Sequence, residues 1–362
     1  MSWLLAFAGF AALIILHEFG HFIAAKATGM RVERFYLFFP PAIAKAKRGE
    51  TEYGIGAIPL GGFVKITGMN PDEELPPDIA PRAYYHQPVW KRIVVIAAGP
   101  AMNLLIAFVI LFGLGFGLQK ATDRVGAIES GSPAAQKLQP GDKIVSVDGK
   151  TGAEARARAL DAHGCSGEPE DGCRAATPAQ VVVIRDGERK KLEIRPEFDS
   201  AAPSIDGDGT GRMRLGFEYA SRPVDSTTGE AASFALDRMW FVASQTVEVI
   251  VRIFDPEQRE QISGVVGSYE VTRQSIEFDT RQALGIVALI SLSLAVINLF
   301  PFLPLDGGHI FWSLVEKVRG KPVPFSVMER AGVIGFALVL VLFVIGLSND
   351  IGRLSGEGFQ VR

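Results

Sequence analysis

Only two cysteines and five histidines occur in 362 residues. Two cysteines exclude a disulfide-dense scaffold and a cysteine-rich zinc ribbon. An excess of positive charge is lacking as well. The 37 Lys and Arg stand against 40 Asp and Glu, and a formal charge of −3 excludes a polybasic nucleic-acid binder. Charged residues are scarce at 21%, while apolar residues, at 48%, are near the globular average. That average hides an uneven distribution. Long uncharged runs alternate with ordinary soluble sequence, and neither internal repeats nor a low-complexity tract is present.

Four runs stand out: 2–16, which continues apolar to Ala25 apart from His17, Glu18 and His21; then 93–118, 282–305 and 331–349. A helix crossing the hydrocarbon core needs roughly 20 mostly apolar residues, so the last three qualify directly. The first lacks the positive flank and small-residue cleavage site of a signal peptide, and is read as a spanning helix with polar residues built in. Lys26, Arg31 and Arg34 follow run one, and Lys317, Arg319, Lys321 and Arg330 lie between runs three and four. Basic residues beside membrane helices mark cytoplasmic loops, so the N-terminus, the segment after run two and the C-terminal tail are expected outside.

The segments between the runs have their own patterns. Within 27–92, Phe35–Phe39 and the glycine-rich stretch Tyr53–Val64 suggest short strands or a hairpin, dipping into the bilayer or lining a protein cavity. Residues 119–230 read as a soluble domain, with strands at 125–128, 143–147 and 180–184 and turns at Asp148-Gly149 and Asp186-Gly187. A short helix is expected from Pro133, capped by Ser132, and 199–212 is expected to be a polar loop. Residues 231–254 form an amphipathic helical stretch expected at the outer membrane surface. Cys165 and Cys173 sit close together on the oxidising side, where a disulfide is favoured over two free thiols.

Run one contains His17-Glu18-Phe19-Gly20-His21, an H-E-x-x-H. Positions i and i+4 of a helix share a face, so both imidazoles can reach one metal ion, with Glu18 beside them as a base. Ionisable groups inside a membrane helix are expensive and mark function. A catalytic zinc takes three protein ligands, and Asp306, the first acid after run three, falls in the same cytoplasmic half of the bilayer. His309 is a rival ligand, but it lies beyond Gly307-Gly308.

With these residues the chain resembles the site-2 protease family of intramembrane zinc metalloproteases, in its bacterial PDZ-containing branch (regulator of sigma-E protease-like). The resemblance covers nearly the whole chain. His17, Glu18 and His21 match the family's HExxH. Asn298, Pro301, Leu305, Asp306 and Gly307 match its N-x-x-P-x-P-x-L-D-G motif, with Leu303 at the second Pro position and Pro304 one residue later. Gly99–Asn103 is similar to its G-P-x-x-N stretch, Pro59–Lys65 to its membrane re-entrant β-loop, and Val125–Lys150 to a bacterial PDZ domain. Gly264-Val-Val-Gly267 stands where G-P-x-G is common.

The resemblance implies one Zn2+ per chain, held by His17, His21 and Asp306, with Glu18 as catalytic base. It implies hydrolysis of peptide bonds within transmembrane segments of single-pass proteins, such as anti-sigma factors pre-trimmed by a first protease, or remnant signal peptides. Gly61, Gly62, Phe63 and Val64 could pair with an unwound substrate as an edge strand. Asn298, with Pro301, is assigned to substrate binding, or alternatively Asn298 to hydrogen bonding between helices. Gly99 and Asn103 are expected to serve close helix packing. The PDZ domain is expected to gate substrates, by size or by peptide capture. A membrane scaffold that recruits through its PDZ is disfavoured by the complete His/Glu/Asp set, and a metal transporter by the nearly apolar runs two and four.

The expected fold is thus a polytopic α-helical membrane protein in the bacterial cytoplasmic (inner) membrane, with a re-entrant β-hairpin and an extracytoplasmic α+β PDZ domain. The bilayer and a transmembrane substrate are its partners, and nucleic acid is not. The segments are 1–26 (first span), 27–92 (cytoplasmic, with the β-loop), 93–118 (second span), 119–230 (PDZ and linker), 231–281 (membrane surface), 282–305 (third span), 306–330 (cytoplasmic loop), 331–349 (fourth span) and 350–362 (tail).

Overall fold

A computed structural model describes residues 1–356 except 71–72, 166, 168, 204, 206–209, 253–254, 256–258 and 260–261. The chain forms two units, Met1–Phe116 with Ser226–Arg362, and Gly117–Asp225. In chain order, the first unit contributes helix α1 (Ser2–Ala27), strands β1 (Val32–Arg48) and β2 (Thr51–Ile66), and helix α2 (Val89–Gly115). The second unit follows with β3 (Gln119–Ile128), β4 (Lys143–Val147), α3 (Ala153–Asp161), β5 (Ala179–Arg185), β6 (Glu188–Ile194), β7 (Glu197–Pro203), β8 (Thr210–Arg214) and β9 (Phe217–Pro223). The chain returns to the first unit with α4 (Thr228–Val251), α5 (Val265–Phe278), α6 (Thr280–Asn298), α7 (Asp306–Arg319) and α8 (Phe325–Ser355).

Among the described residues, four helices are long and apolar enough to cross a membrane: α1, α2, α6 and, from Ser326, α8. Their surfaces are the reverse of a soluble bundle. Small residues such as Gly20, Gly99, Ala107, Ala288 and Ala295 are buried between helices, whereas Val109 (57% exposed), Val333 (67%) and Phe336 (59%) face outward. Without a hydrophobic drive between helices in lipid, close packing of small residues holds such a bundle together. Helix α4 packs along α2 and α6, with Ala235 between Leu111 and Ala288. The sequence suggested only an amphipathic surface stretch there. A capping box missed in the sequence starts α4: Thr227 Oγ1 accepts from the Glu230 amide, and the Glu230 carboxylate accepts from the Thr227 amide.

The third apolar run is longer than its helix. Helix α6 stops at Asn298, because Pro301 and Pro304 cannot donate to a helical ladder. Residues 299–305 double back, and α7 starts at Asp306 in a stretch expected to be loop. Gly307 and Gly308 press against the main chain of Leu299 and Leu303, where a Cβ would collide. On the far side, Gly335 of α8 presses on the Leu303 carbonyl.

Strands β1 and β2 are antiparallel, but bulges fold them into more than a plain hairpin. Residues 34–37 are partnered twice, for example Leu37 with both Ile55 and Gly62. Residues 62–66 therefore pair on one side only, and their outer edge carries no strand among the described residues. Phe22 of α1 packs on Phe35 and Tyr53, seating the sheet against the helix. At its turn, Glu50 is bound by Lys26 and takes two bonds from Arg82, at 2.7 and 2.8 Å.

The second unit is a five-stranded antiparallel sheet, ordered β6-β5-β4-β3-β9, around a core that includes Val125, Leu138, Ile144, Val181 and Val183. Asp186-Gly187 joins β5 to β6 with both residues at positive φ (53° and 84°), the two-residue turn matched to strand twist. One expectation is corrected: among the described residues of 199–212, all but Ile205 belong to β7 and β8, which pair with each other. The short helix expected from Pro133 is present as a 3-10 helix, Pro133–Gln136, but the Ser132 side chain does not cap it, donating instead to the Gly216 carbonyl.

Candidate metal centre

His17 and His21 face inward from the C-terminal half of α1, 8% and 7% exposed. Asp306, the first residue of α7, reaches them across the bundle. The three ligand atoms form a nearly regular triangle: Nε2 to Nε2 is 3.3 Å, and Asp306 Oδ2 lies 3.3 Å from His17 Nε2 and 3.4 Å from His21 Nε2. Ligands placed tetrahedrally about 2.0–2.1 Å from zinc are about 3.3–3.4 Å from one another, so the triangle has the size of one face of a zinc tetrahedron. The rings stand at 84° to each other, approaching a common point from two directions. Asp306 Oδ2 is buried with no hydrogen-bond partner among the described residues, which suits a cation ligand. The residues fit zinc.

Neighbouring groups orient the ligands. His21 Nδ1 lies 2.9 Å from the Val95 carbonyl oxygen, leaving Nε2 to the centre. His17 Nδ1 lies 3.2 Å from the side-chain Nδ2 of Asn103. Close approach of α1 and α2 needs two glycines: a Cβ on Gly20 would strike the Ala98 carbonyl, and one on Gly99 would strike the His21 ring. Glu18 packs against β2, where a Cβ on Gly62 would overlap its Cγ.

The remaining expected site residues divide. Gly61, Gly62, Phe63 and Val64 lie on β2, and from Gly62 onward they form the one-sided edge beside Glu18, with Phe63 in tilted ring contact with Tyr36 and Phe39. Asn298 is the last residue of α6 and Pro301 lies on the α6–α7 connection, and no hydrogen bond joins the Asn298 side chain to the ligands or the sheet among the described residues. His309 stands outside the triangle and lines a separate cavity with Tyr84, Arg92, Trp312 and Glu316. Cys165 and Cys173 are bonded to each other. Two functional contacts went unread in the sequence, those of Val95 and Asn103. Their spacing of four on either side of Gly99, one face of α2, was the available signal.

Such a site within a bundle of membrane-length helices defines a membrane-embedded metallopeptidase. The model of peptidase family M50 matches residues 5–342, and the chain belongs to that family. It is 34% identical over 372 residues to a Nostoc protein named "Putative zinc metalloprotease all3971", covering 99% of this chain and 98% of that one. It is also 31% identical over 341 residues to zinc metalloprotease Rip1 of Mycobacterium tuberculosis, covering 84% and 83%. The chain is a membrane zinc metalloprotease of the site-2 type, acting in intramembrane proteolysis.

Proposed function

We propose that His17, His21 and Asp306 hold the single zinc ion, that Glu18 is the general base, and that the substrates are transmembrane segments of single-pass membrane proteins. The 3.3–3.4 Å triangle of ligand atoms beside Glu18 carries this reading. Zinc bound there supplies Lewis-acid polarisation of the scissile carbonyl and acidifies water. The Glu18 carboxylate takes a proton from the attacking water and delivers it to the leaving amine. A substrate helix must first unwind, and its freed amides then need partners, since each unpaired one in lipid costs several kcal/mol. The open edge of 62–66 offers main-chain bonds to such a strand, next to Glu18.

In this reading the β1–β2 sheet within the cytoplasmic segment 27–92 supplies a loop that re-enters the membrane, supported by Phe39, Ile43 and Ile58, apolar and exposed on it (41%, 73% and 40%). The unit Gly117–Asp225 is a PDZ-like domain on the extracytoplasmic side of a bacterial cytoplasmic membrane, with the Cys165–Cys173 bond formed. It admits substrates whose outer part a first protease has trimmed, among them anti-sigma factors or remnant signal peptides. Asn298 and Pro301 line the substrate path.

Purified wild type and Glu18→Gln, assayed for zinc and incubated with a transmembrane substrate, test the reading. Zinc in both, with turnover lower by at least about 10²-fold in the variant, is expected. A chelator should stop the wild type and added zinc restore it. Equal cleavage by both proteins would defeat the assignment of Glu18.

A further inference from the structure

Two imidazoles can converge on one cation through Nε2 only if each carries its proton on Nδ1. His21 meets this condition through the main chain, because the Val95 carbonyl is an acceptor and nothing else. His17 has no such carbonyl. The group facing its Nδ1 is the side-chain amide of Asn103, which has a donor end and an acceptor end. With Nδ2 toward His17, the imidazole proton would sit on Nε2, in the middle of the ligand triangle, and block it. With Oδ1 toward His17, the proton sits on Nδ1 and the Nε2 lone pair is free. Asn103 is fully buried, and its Oδ1 has no partner where it stands, so a half-turn of the amide sacrifices no hydrogen bond.

The backbone around Asn103 is held for such a task. Ser291 Oγ on α6 donates to the Asn103 carbonyl at 2.9 Å, and both residues are buried. Val95, Gly99 and Asn103 share one face of α2, four residues apart, opposite His21 and His17, four residues apart on α1. Gly99 lets the helices approach, and the positions on either side of it supply one contact per imidazole.

We infer that Asn103 is the positioning residue of His17: its Oδ1 accepts the Nδ1 proton and fixes the tautomer that offers Nε2 to zinc. This rests on the assignment of His17 as a ligand. Partners of this kind are worth about 10–100-fold in metal affinity. Zinc affinity of the full-length protein in detergent, measured by chelator competition, should therefore fall 10–100-fold in Asn103→Leu. It should stay within about threefold of wild type in Asn103→Asp, which keeps an acceptor. In zinc-stripped wild type labelled with 15N-histidine, solid-state nitrogen spectra should show His17 already protonated on Nδ1. Asn103→Leu should lose that preference, a change that helix packing alone would not produce.

An Nε2-protonated His17 in the zinc-stripped wild type overturns the inference, and this measurement needs no variant to fold. So does wild-type affinity in Asn103→Leu when His17→Ala has lost its zinc. If His17→Ala still binds zinc as tightly as wild type, the ligand assignment itself fails.

Discussion

At the scale of single residues, the centre depends on side chains that are missing as much as on those present. Gly62 and Gly99 touch the machinery on opposite sides: one faces Glu18 Cγ, the other the His21 ring. Their alanine variants should therefore fail differently. Gly62→Ala is expected to keep its zinc while cleavage drops by at least about 10²-fold, because the base is pushed out of line. Gly99→Ala is expected to lose zinc affinity by at least about tenfold, because a ligand ring is displaced. Metal content and turnover, measured on the same preparations, separate the two; equal loss of both in each variant would sink the distinction. The ligand motif itself was plain in the residues, since H-E-x-x-H needs only helical periodicity to converge. What each glycine faces was not legible, because the neighbours come from other parts of the chain.

Among elements, the decisive one is the reversal after α6. Pro301 and Pro304 stop the helix, and the following Gly307-Gly308 pack on the reversed chain, which delivers Asp306 to the histidines. The prolines were visible in the sequence, yet the run read as one continuous apolar span, because hydropathy carries no information about amide donors. A second element contact was also hidden. Asp350, fully buried in α8, accepts from the amides of Gly264 (3.1 Å) and Gly267 (2.7 Å) at the start of α5. Asp350→Ala leaves those amides unpaired and should destabilise the protein by about 1–3 kcal/mol, read as a lower Tm in detergent; an unchanged Tm would refute the role.

The sheet beside α1 has a pH-sensitive anchor. Hydrogen bonds from Arg82, and then from Lys26, hold the Glu50 carboxyl at about 2, below its usual 4.5. Because the folded-state value is depressed, this stabilisation is complete above pH 4.5 and is lost as pH falls toward 2. Protection against hydrogen exchange across 32–66, corrected for the pH dependence of intrinsic exchange, should fall over that window in wild type. Glu50→Gln should be less protected already at neutral pH and lack the Glu50-dependent loss of protection on acidification.

On the scale of the whole molecule, the near-zero net charge matters less than where the charges fall. Lys26 in the last turn of α1 with Arg31 and Arg34 beyond it, and Lys317, Arg319 and Lys321 before α8, predict two cytoplasmic loops. Lys45→Cys and Lys321→Cys should be shielded from an impermeant thiol reagent in intact cells and labelled after permeabilisation, while Ser221→Cys labels from outside. Labelling of both loop positions in intact cells would invert the topology. The native cysteines, bonded to each other, add no background.

Apolar run lengths and the few ionisable residues that interrupt them were enough, from the sequence alone, to indicate four membrane helices, a separate β-rich domain and a zinc chemistry. Those properties are local or compositional, set by side-chain polarity and helical spacing. Only the tertiary structure decided which atoms meet. It brought Asp306 to within 3.4 Å of both imidazoles, laid the open edge of 62–66 against Glu18, and placed Asn103 on His17. Each of these contacts joins residues on different elements, and their distances depend on how closely small residues let the helices pack, a quantity that no single segment encodes.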